Sequence, residues 1–261
     1  MNILQAIFLG LVQGLTEFLP VSSSGHLVLL QRLFSIGDST LLFNVSVHFA
    51  TLIAVIIAFW GEVLAIIKKP FCKMTGLILI SMVPAMVAGI VFRNFFEGLN
   101  QSGMSLGIGF LITSVVLLIT VKIKNGERDL SDLKWYDALL IGFAQAVAIV
   151  PGISRSGMTM VTSLSRKIKK ELAVKFAFLM SIPVIAGGFL IELLDVFDQG
   201  IGSIDFIPVL LGMLFAGVSG FFAIKLFVRF VMKGKLYYFS YYVFALSLFV
   251  LIDQLFIGRI F

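Results

Sequence analysis

Charge is what this sequence has least of. Asp, Glu, Lys and Arg make up 13% of its 261 residues, where a soluble domain carries about 25%. Apolar residues reach 59%, and mean hydropathy is +1.08. No soluble core absorbs that excess, so the composition excludes a soluble globular protein and predicts a polytopic membrane protein. Cysteine is nearly absent. A lone Cys72 excludes an internal disulfide and a cysteine-based metal site, and reads as a small apolar filler near a helix end. The opening "MNILQAIFLGLVQG" lacks a basic leader and a small-residue cleavage site, so no signal peptide is expected. The net charge of +6 predicts no nucleic-acid partner, because in a membrane protein the distribution of Lys and Arg reports orientation first.

Long hydrophobic runs are plentiful. A spanning helix needs about 20 apolar residues. Six stretches qualify: roughly 40–60, 76–92, 104–121, 171–194, 206–224 and 236–256. Two regions do not. In 2–33 the apolar run stops at Thr16 and Glu17 and restarts after Gly25. In 135–165 it stops at Pro151 and restarts after Gly157. Each short run covers about 20 Å at 1.5 Å per residue. That reaches the midplane and returns, which predicts two re-entrant helical hairpins with irregular tips lining protein or a polar cavity.

The basic residues orient this layout. With residue 61 in the cytoplasm, four inner loops carry sixteen of the twenty Lys and Arg. They hold Lys68, Lys69 and Lys73; Lys122, Lys124, Arg128 and Lys134; Arg166, Lys167, Lys169, Lys170 and Lys175; and Lys225, Arg229, Lys233 and Lys235. Arg32, Arg93 and Arg259 fall outside. The outer 192–205 loop is acidic, with Glu192, Asp195, Asp198 and Asp205. Trp60, Trp135, Tyr136, Tyr237, Tyr238, Tyr241 and Tyr242 are expected to form an inner interfacial belt. The first hairpin must then enter from outside and the second from inside, each followed by three spanning helices. The fold expected is a single all-α polytopic membrane domain, 1–261, made of two halves of opposite topology, roughly 1–125 and 134–261. Both termini and the site opening lie on the outer side.

The sequence carries an echo of that repeat. "GLVQGLTEFLPVSSSGH" from Gly10 matches "GFAQAVAIVPGISRSGM" from Gly142 at an offset of 132 residues. Gly10, Gln13, Ser22, Ser24 and Gly25 meet Gly142, Gln145, Ser154, Ser156 and Gly157. Inverted repeats place their site at the midplane, where broken helices meet.

The polar residues gather at the two tips. At the repeat offset Ser23 stands opposite Arg155, and His26 opposite Met158. An ionisable side chain costs at least about 2.5–3.5 kcal/mol in the bilayer centre and faces a cavity or a partner. One shared site accounts for Glu17, Ser23, His26 and Arg155 together. Plainer readings stand beside it: a structural Glu17–Arg155 ion pair, capping hydroxyls at Ser22 and Ser24, and a packed His26. His48 is either a supporting partner or a packing residue. Gln13 and Gln145 are expected to hydrogen-bond across the hairpins. Helix starts preceded by "SSSG" and "SRSG" present free N–H groups, an anion site at Ser22, Ser24, Gly25, Ser154, Ser156 and Gly157. Arg155 adds a planar fork for phosphate oxygens. A hydroxyl or imidazole nucleophile beside that trap, with Glu17 orienting His26 or holding a divalent metal, suits phosphoryl transfer. Apolar walls imply that the phosphate is carried on a lipid. The competing class is a transporter or flippase of that lipid-borne phosphate, which would use the same helix ends without chemistry. Glu17, Ser23 and His26 all lie on one hairpin, an asymmetry that pure transport does not need.

"QGLTEFLPVSSSGH" (13–26) and "PGISRSGMTM" (151–160) closely resemble the two signature motifs of the undecaprenyl-diphosphatase, or bacitracin-resistance, family. The resemblance extends through "FNVSVHFATLIAV" (43–55) and "KFAFLMSIPVIAG" (175–187). It implies a multi-pass enzyme of the bacterial cytoplasmic (inner) membrane. Such an enzyme removes the terminal phosphate of an isoprenyl diphosphate carrier, recycles that carrier for cell-wall synthesis and confers bacitracin tolerance. By motif position the family's functional residues fall on Glu17, Ser23, His26 and Arg155. The family usually needs a divalent cation such as Mg²⁺ or Ca²⁺. Its acidic motif begins with Glu or Gln, here Gln13, which leaves Glu17 as the metal-binding carboxylate. The reading favoured is Ser23 as nucleophile with His26 as general acid and base. A histidine nucleophile and a metal-activated water stay open. The partners implied are the isoprenyl diphosphate and the membrane lipids, with a homodimer left open.

Overall fold

The computed structural model describes residues 1–36, 41–199 and 206–261, with only the backbone of 198 and 199. Asp205 of the expected acidic loop, and the side chain of Asp198, lie outside the described residues. The described residues are helical and contain no β-sheet. The order is α1 (Ile3–Phe18), α2 (Ser23–Leu33), α3 (Leu41–Ala58), α4 (Trp60–Lys68), α5 (Lys73–Val91), α6 (Arg93–Ser102) and α7 (Leu106–Ile119). Then come α8 (Trp135–Val147), α9 (Arg155–Ser165), α10 (Lys170–Gln199), α11 (Phe206–Met232) and α12 (Tyr238–Ile252). A π-helical turn, Asp253–Ile257, extends α12.

Among the described residues five helices, α3, α5, α10, α11 and α12, are long and apolar enough to cross a membrane. This is the architecture of a multi-pass membrane protein. All six predicted stretches fall on helices. The stretch at 104–121 is modified: α7 has 14 residues and joins α6 through a bend of 102°. Gly103, at φ +65°, makes the turn. Residues expected in loops also turn out helical. Residues 60–68 form α4, 93–102 form α6, and α11 continues past Lys225 and Arg229. Long basic side chains carry their charge to an interface from within a helix end, so the charge pattern marks boundaries only to within a turn or two.

The two short regions are helical pairs. Helices α1 and α2 have 16 and 11 residues, and α8 and α9 have 13 and 11. None reaches a spanning length. The first helix of each pair packs on a long helix distant in sequence, α1 on α11 and α8 on α5. Glycine makes the approach possible. A Cβ at Gly10 would strike the Gly212 carbonyl, and a Cβ at Gly142 would strike the Ser81 carbonyl. Lipid offers little hydrophobic incentive for helices to associate, so close backbone packing and interhelical hydrogen bonds hold them. Ser219 donates to the Leu11 carbonyl at 3.2 Å. Ser114 donates to the Ser240 carbonyl at 3.0 Å, and Ser247 to the Gly107 carbonyl at 2.8 Å, joining α7 to α12. Phe178 sits in the largest apolar cluster, stacked on Phe59 and edge-on to Phe227.

Candidate active site

Both hairpins turn through a serine-capped tip. Helix α1 ends at Phe18, before Pro20, which has no N–H to continue the ladder. Ser22 then caps α2, its Oγ accepting the Gly25 N–H at 3.4 Å. Ser154 caps α9 in the same way, accepting the Gly157 N–H at 3.2 Å. Ser22 thus caps its helix as the plainer reading expected, Ser24 does not, and Ser154 takes the capping role at the second tip. The tips pack on each other. A Cβ at Gly25 would collide with the Phe110 ring and Gly152, and one at Gly157 would crowd Pro20. Ser156 Oγ donates to the Leu19 carbonyl at 3.2 Å, tying the second tip to the first. Ser24 and Ser156 lie within 3.4 and 3.2 Å of their capping serines. The second tip is also tied to α7. Thr113 donates to the Gly152 carbonyl and accepts the Ser154 N–H, both at 2.9 Å.

Glu17 is the hub. It is 8% exposed. Its Oε1 accepts from Arg155 Nη2 at 2.5 Å across the two hairpins. Its Oε2 accepts from Ser23 Oγ at 2.6 Å and from Gln13 Nε2 at 3.0 Å. His48 Nε2 stands 3.9 Å from the same oxygen, brought there by α3. Helical spacing explains Gln13, one turn before Glu17 on one face of α1. Only the tertiary fold explains Ser23, Arg155 and His48. A cavity of about 10 Å³ lies beside the pair, lined in part by Ser156, Thr159 and Ser181. It has room for about one water.

His26 is placed elsewhere than expected. Its Nδ1 lies 2.7 Å from the Ser22 carbonyl, which can only accept, so that nitrogen carries a proton. Its Nε2 lies 2.7 Å from the Tyr242 hydroxyl, which donates to it when the imidazole is neutral. The ring lies against Tyr242 and edge-on to Phe110. Glu17 therefore does not orient His26, and the acceptor beside Ser23 Oγ is the carboxylate. Both glutamines also depart from expectation: Gln13 bonds to Glu17 within α1 rather than across the hairpins, and so does not reach Gln145. Gln145 is 2% exposed, and neither amide atom has a hydrogen-bond partner among the described residues. The position one turn on is Ile149, where the first hairpin has Glu17.

Sequence reasoning missed Tyr242. Its neighbours Tyr237, Tyr238 and Tyr241 made it look like one more belt residue, yet its hydroxyl reaches the tip of α2. The available signal was that a tyrosine drawn into a helix bundle needs a partner for its O–H. Thr113 and Phe110, on a run read only as a span, were missed as well.

The metal expectation can be tested on the donor set. Among the described residues no cluster of three or more His, Cys, Asp or Glu forms a self-sufficient metal site. Glu17 Oε2 lies beside His48, and Gln13 Oε1 is buried without a partner. A hard cation that keeps waters and takes phosphate oxygens needs only one or two protein oxygens, so these residues fit an ion shared with a diphosphate.

A family model described as "Bacitracin resistance protein BacA" matches residues 6–249. A protein of Carboxydothermus hydrogenoformans named undecaprenyl-diphosphatase is 46% identical, over 97% of this chain and 98% of its own length. One of the same name from Halothermothrix orenii is 42% identical, with the same coverage of both chains. Undecaprenyl-diphosphatase 3 of Bacillus cereus is 40% identical over 97% of this chain and 98% of its own.

Proposed function

The chain belongs to the bacitracin resistance protein BacA family, and from that premise we propose that it hydrolyses undecaprenyl diphosphate to undecaprenyl phosphate and inorganic phosphate. The enzyme returns the lipid carrier to cell-wall synthesis and removes the diphosphate form, which links it to bacitracin resistance. One observation carries the assignment to this site: the Glu17 carboxylate joins Ser23 of one tip to Arg155 of the other.

The site performs the reaction as follows. The terminal phosphoryl group approaches where Ser23 and Arg155, the first residues of α2 and α9, converge on Glu17, facing the free first-turn N–H groups of the two helices. The cavity beside Glu17 holds no more than a water, so Arg155 turns from the carboxylate to the phosphate oxygens. Ser23 Oγ attacks the terminal phosphorus and gives its proton to Glu17. The bond from that phosphorus to the bridging oxygen breaks, and undecaprenyl phosphate departs with the electron pair. A water then attacks the phosphoserine, and Ser23 Oγ leaves, taking back the proton from Glu17. Both protons of the water depart with inorganic phosphate. Arg155 and the helix N-termini stabilise the charge that develops on the equatorial oxygens. A Mg²⁺ or Ca²⁺ held by Glu17 and Gln13 would supply further neutralisation of the diphosphate. In this reading His26 braces the tip through the Ser22 carbonyl, and Tyr242 fixes its ring.

The architecture is read as an inverted repeat of a re-entrant hairpin and three spanning helices, in the bacterial cytoplasmic membrane. Both termini and the site opening face outward. Support comes from the matched serine caps and from the crossed packing of α1 on α11 and α8 on α5 through Gly10 and Gly142. The charge pattern supplies the orientation.

Phosphate release from an isoprenyl diphosphate in detergent tests the reading. Glu17→Gln and Ser23→Ala should each abolish nearly all turnover in protein that still melts cooperatively. Near wild-type rates in Ser23→Ala would move the nucleophile to another group.

A further inference from the structure

The outer side of this protein has few cations, and they are not treated alike. Arg93 is neutralised: it donates to Glu97 at 2.6 Å and to both oxygens of Asp195 at 2.7 Å. Arg32 has no carboxylate partner among the described residues. It donates to the Ile260 carbonyl at 3.2 Å and to the Gln101 carbonyl, with its guanidinium 4.7 Å from the Phe261 ring centre. Carbonyls orient a guanidinium without cancelling its charge. Arg259 has no acidic side-chain partner among the described residues.

Arg32 and Arg259 line one cavity of about 460 Å³ between the ends of α2 and α12. The carboxylate there, Asp253, is 3% exposed and already occupied. It accepts the backbone N–H groups of Arg259, Ile260 and Phe261 at 3.1–3.2 Å, which folds the C-terminal tail so that Arg259 reaches the cavity. The remaining wall is largely apolar, with Phe249, Ile252 and Ile257. Two positive charges, Arg32 held by carbonyls and Arg259 exposed at the rim, beside an apolar wall on the face that otherwise avoids cations match an anion attached to a hydrocarbon chain.

We propose that this cavity is a second phosphate-binding station, holding the headgroup of a phosphorylated isoprenyl lipid apart from the reacting tip. The proposal rests on the substrate class assigned above. Arg32 lies nine residues beyond Ser23 on α2, or about 14 Å along the helix at 1.5 Å per residue. A headgroup at the station is therefore not in contact with the nucleophile.

Native mass spectrometry of the detergent-solubilised full chain with farnesyl phosphate tests the station directly. The wild type should hold two lipids. Arg259→Ala and Arg155→Ala should each hold one, and the double variant none. Loss of the arginine should weaken its site about tenfold or more, as expected for a charge-assisted contact. Arg259→Lys should recover part of that loss. Thermal melting should leave Arg259→Ala unchanged, since that side chain is exposed. A single lipid on the wild type, no lipid on Arg155→Ala, or one persisting on the double variant would overturn the station. Inorganic phosphate at the same concentration should not displace the lipid bound to Arg155→Ala. Equal displacement by phosphate would overturn the lipid headgroup as occupant. Arg259-dependent binding in a protein that releases no phosphate from isoprenyl diphosphate would refute the proposed reaction and leave the station standing.

Discussion

At the first tip, Ser22 caps α2 at φ +70°; at the second, Ser154 caps α9 at φ −80°. The two tips share a Ser-x-Ser-Gly sequence and the same cap bond, yet of the two capping serines only Ser22 is forced into the left-handed region; at the second tip Gly152, at φ +92°, takes the positive φ. Such strain at a serine costs about 1–3 kcal/mol and persists where neighbours over-determine it. His26 Nδ1 on the Ser22 carbonyl, with Tyr242 behind the ring, is the neighbour that does so. One turn earlier, Gln13 finds Glu17, while Gln145 finds Ile149 and no partner. The hairpin bases differ too. Helix α1 begins in a neutral Asn2–Gln5 capping box, whereas the first turn of α8 carries Asp137, gripped by Arg128 and Arg166. In the proposed reaction the chemistry divides between the tips: the first holds the reacting groups, and the second supplies a cation and is anchored to α7 through Thr113.

The sharpest break of that comparison removes the group that crosses it. Arg155→Ala should lower turnover by about 10²–10³, as for other lost transition-state donors. Glu17→Gln should cost about 10²–10⁴, the range of a general base. Both are read by phosphate release. If Arg155→Ala were mild, the second tip would not be part of the site.

The bases should separate by pH. Burial pulls the Asp137 carboxyl upward, but hydrogen bonds from Arg128, the Lys134 backbone N–H and Arg166 hold it well below the usual carboxylate range. A depressed native value means that its stabilisation is whole above the unfolded-chain value, near 3.9. It is lost as pH falls from there through the native value. Asp137→Asn should destabilise by about 2 kcal/mol at neutral pH, discounted for the partly exposed arginines. It should also flatten the acid limb of a melting profile. Substitution of Asn2, at the neutral base, should leave that limb as it was.

The paired glutamines give opposite signs. Gln145→Leu removes an unsatisfied buried amide and should stabilise by about 1–2 kcal/mol. Gln13→Leu takes a donor from Glu17 and should lower both stability and turnover. Tyr242→Phe keeps the ring and loses the O–H, so kcat should fall about tenfold with little change in KM. The chain has two histidines, so ¹⁵N-histidine labelling can follow His26, with the wild type protonated at Nδ1. An unchanged spectrum and an unchanged kcat would return Tyr242 to the interfacial belt. The smallest contrast is at the caps. Ser22→Gly should be neutral or slightly stabilising, and Ser154→Gly should cost a few tenths of a kcal/mol. Equal signs in denaturation would remove the strain argument.

The hairpins were legible because their short apolar runs end near Pro20 and Pro151 and restart after Ser-x-Ser-Gly, which pairs a missing N–H with a capping hydroxyl and so closes one helix and opens the next. Glu17, Ser23 and Arg155 were legible because ionisable and hydroxyl groups in a bilayer need a joint reason to be there. Tyr242 and Thr113 were hidden, since a tyrosine near other tyrosines and a threonine in an apolar run have ordinary explanations. The α6–α7 bend was hidden because a single glycine's positive φ leaves no trace in hydropathy.

The sequence by itself determined the solvent, where the apolar runs become helices, and the serine caps of both tips. Each follows from the cost of polar groups in hydrocarbon or from hydrogen bonds within one helical turn. Only the tertiary structure decided which partner each residue takes: Glu17 with Ser23, Arg155 and His48, and His26 with Tyr242. Those pairings join residues up to 216 positions apart. They depend on where glycine-lined helices can approach, which no local pattern encodes.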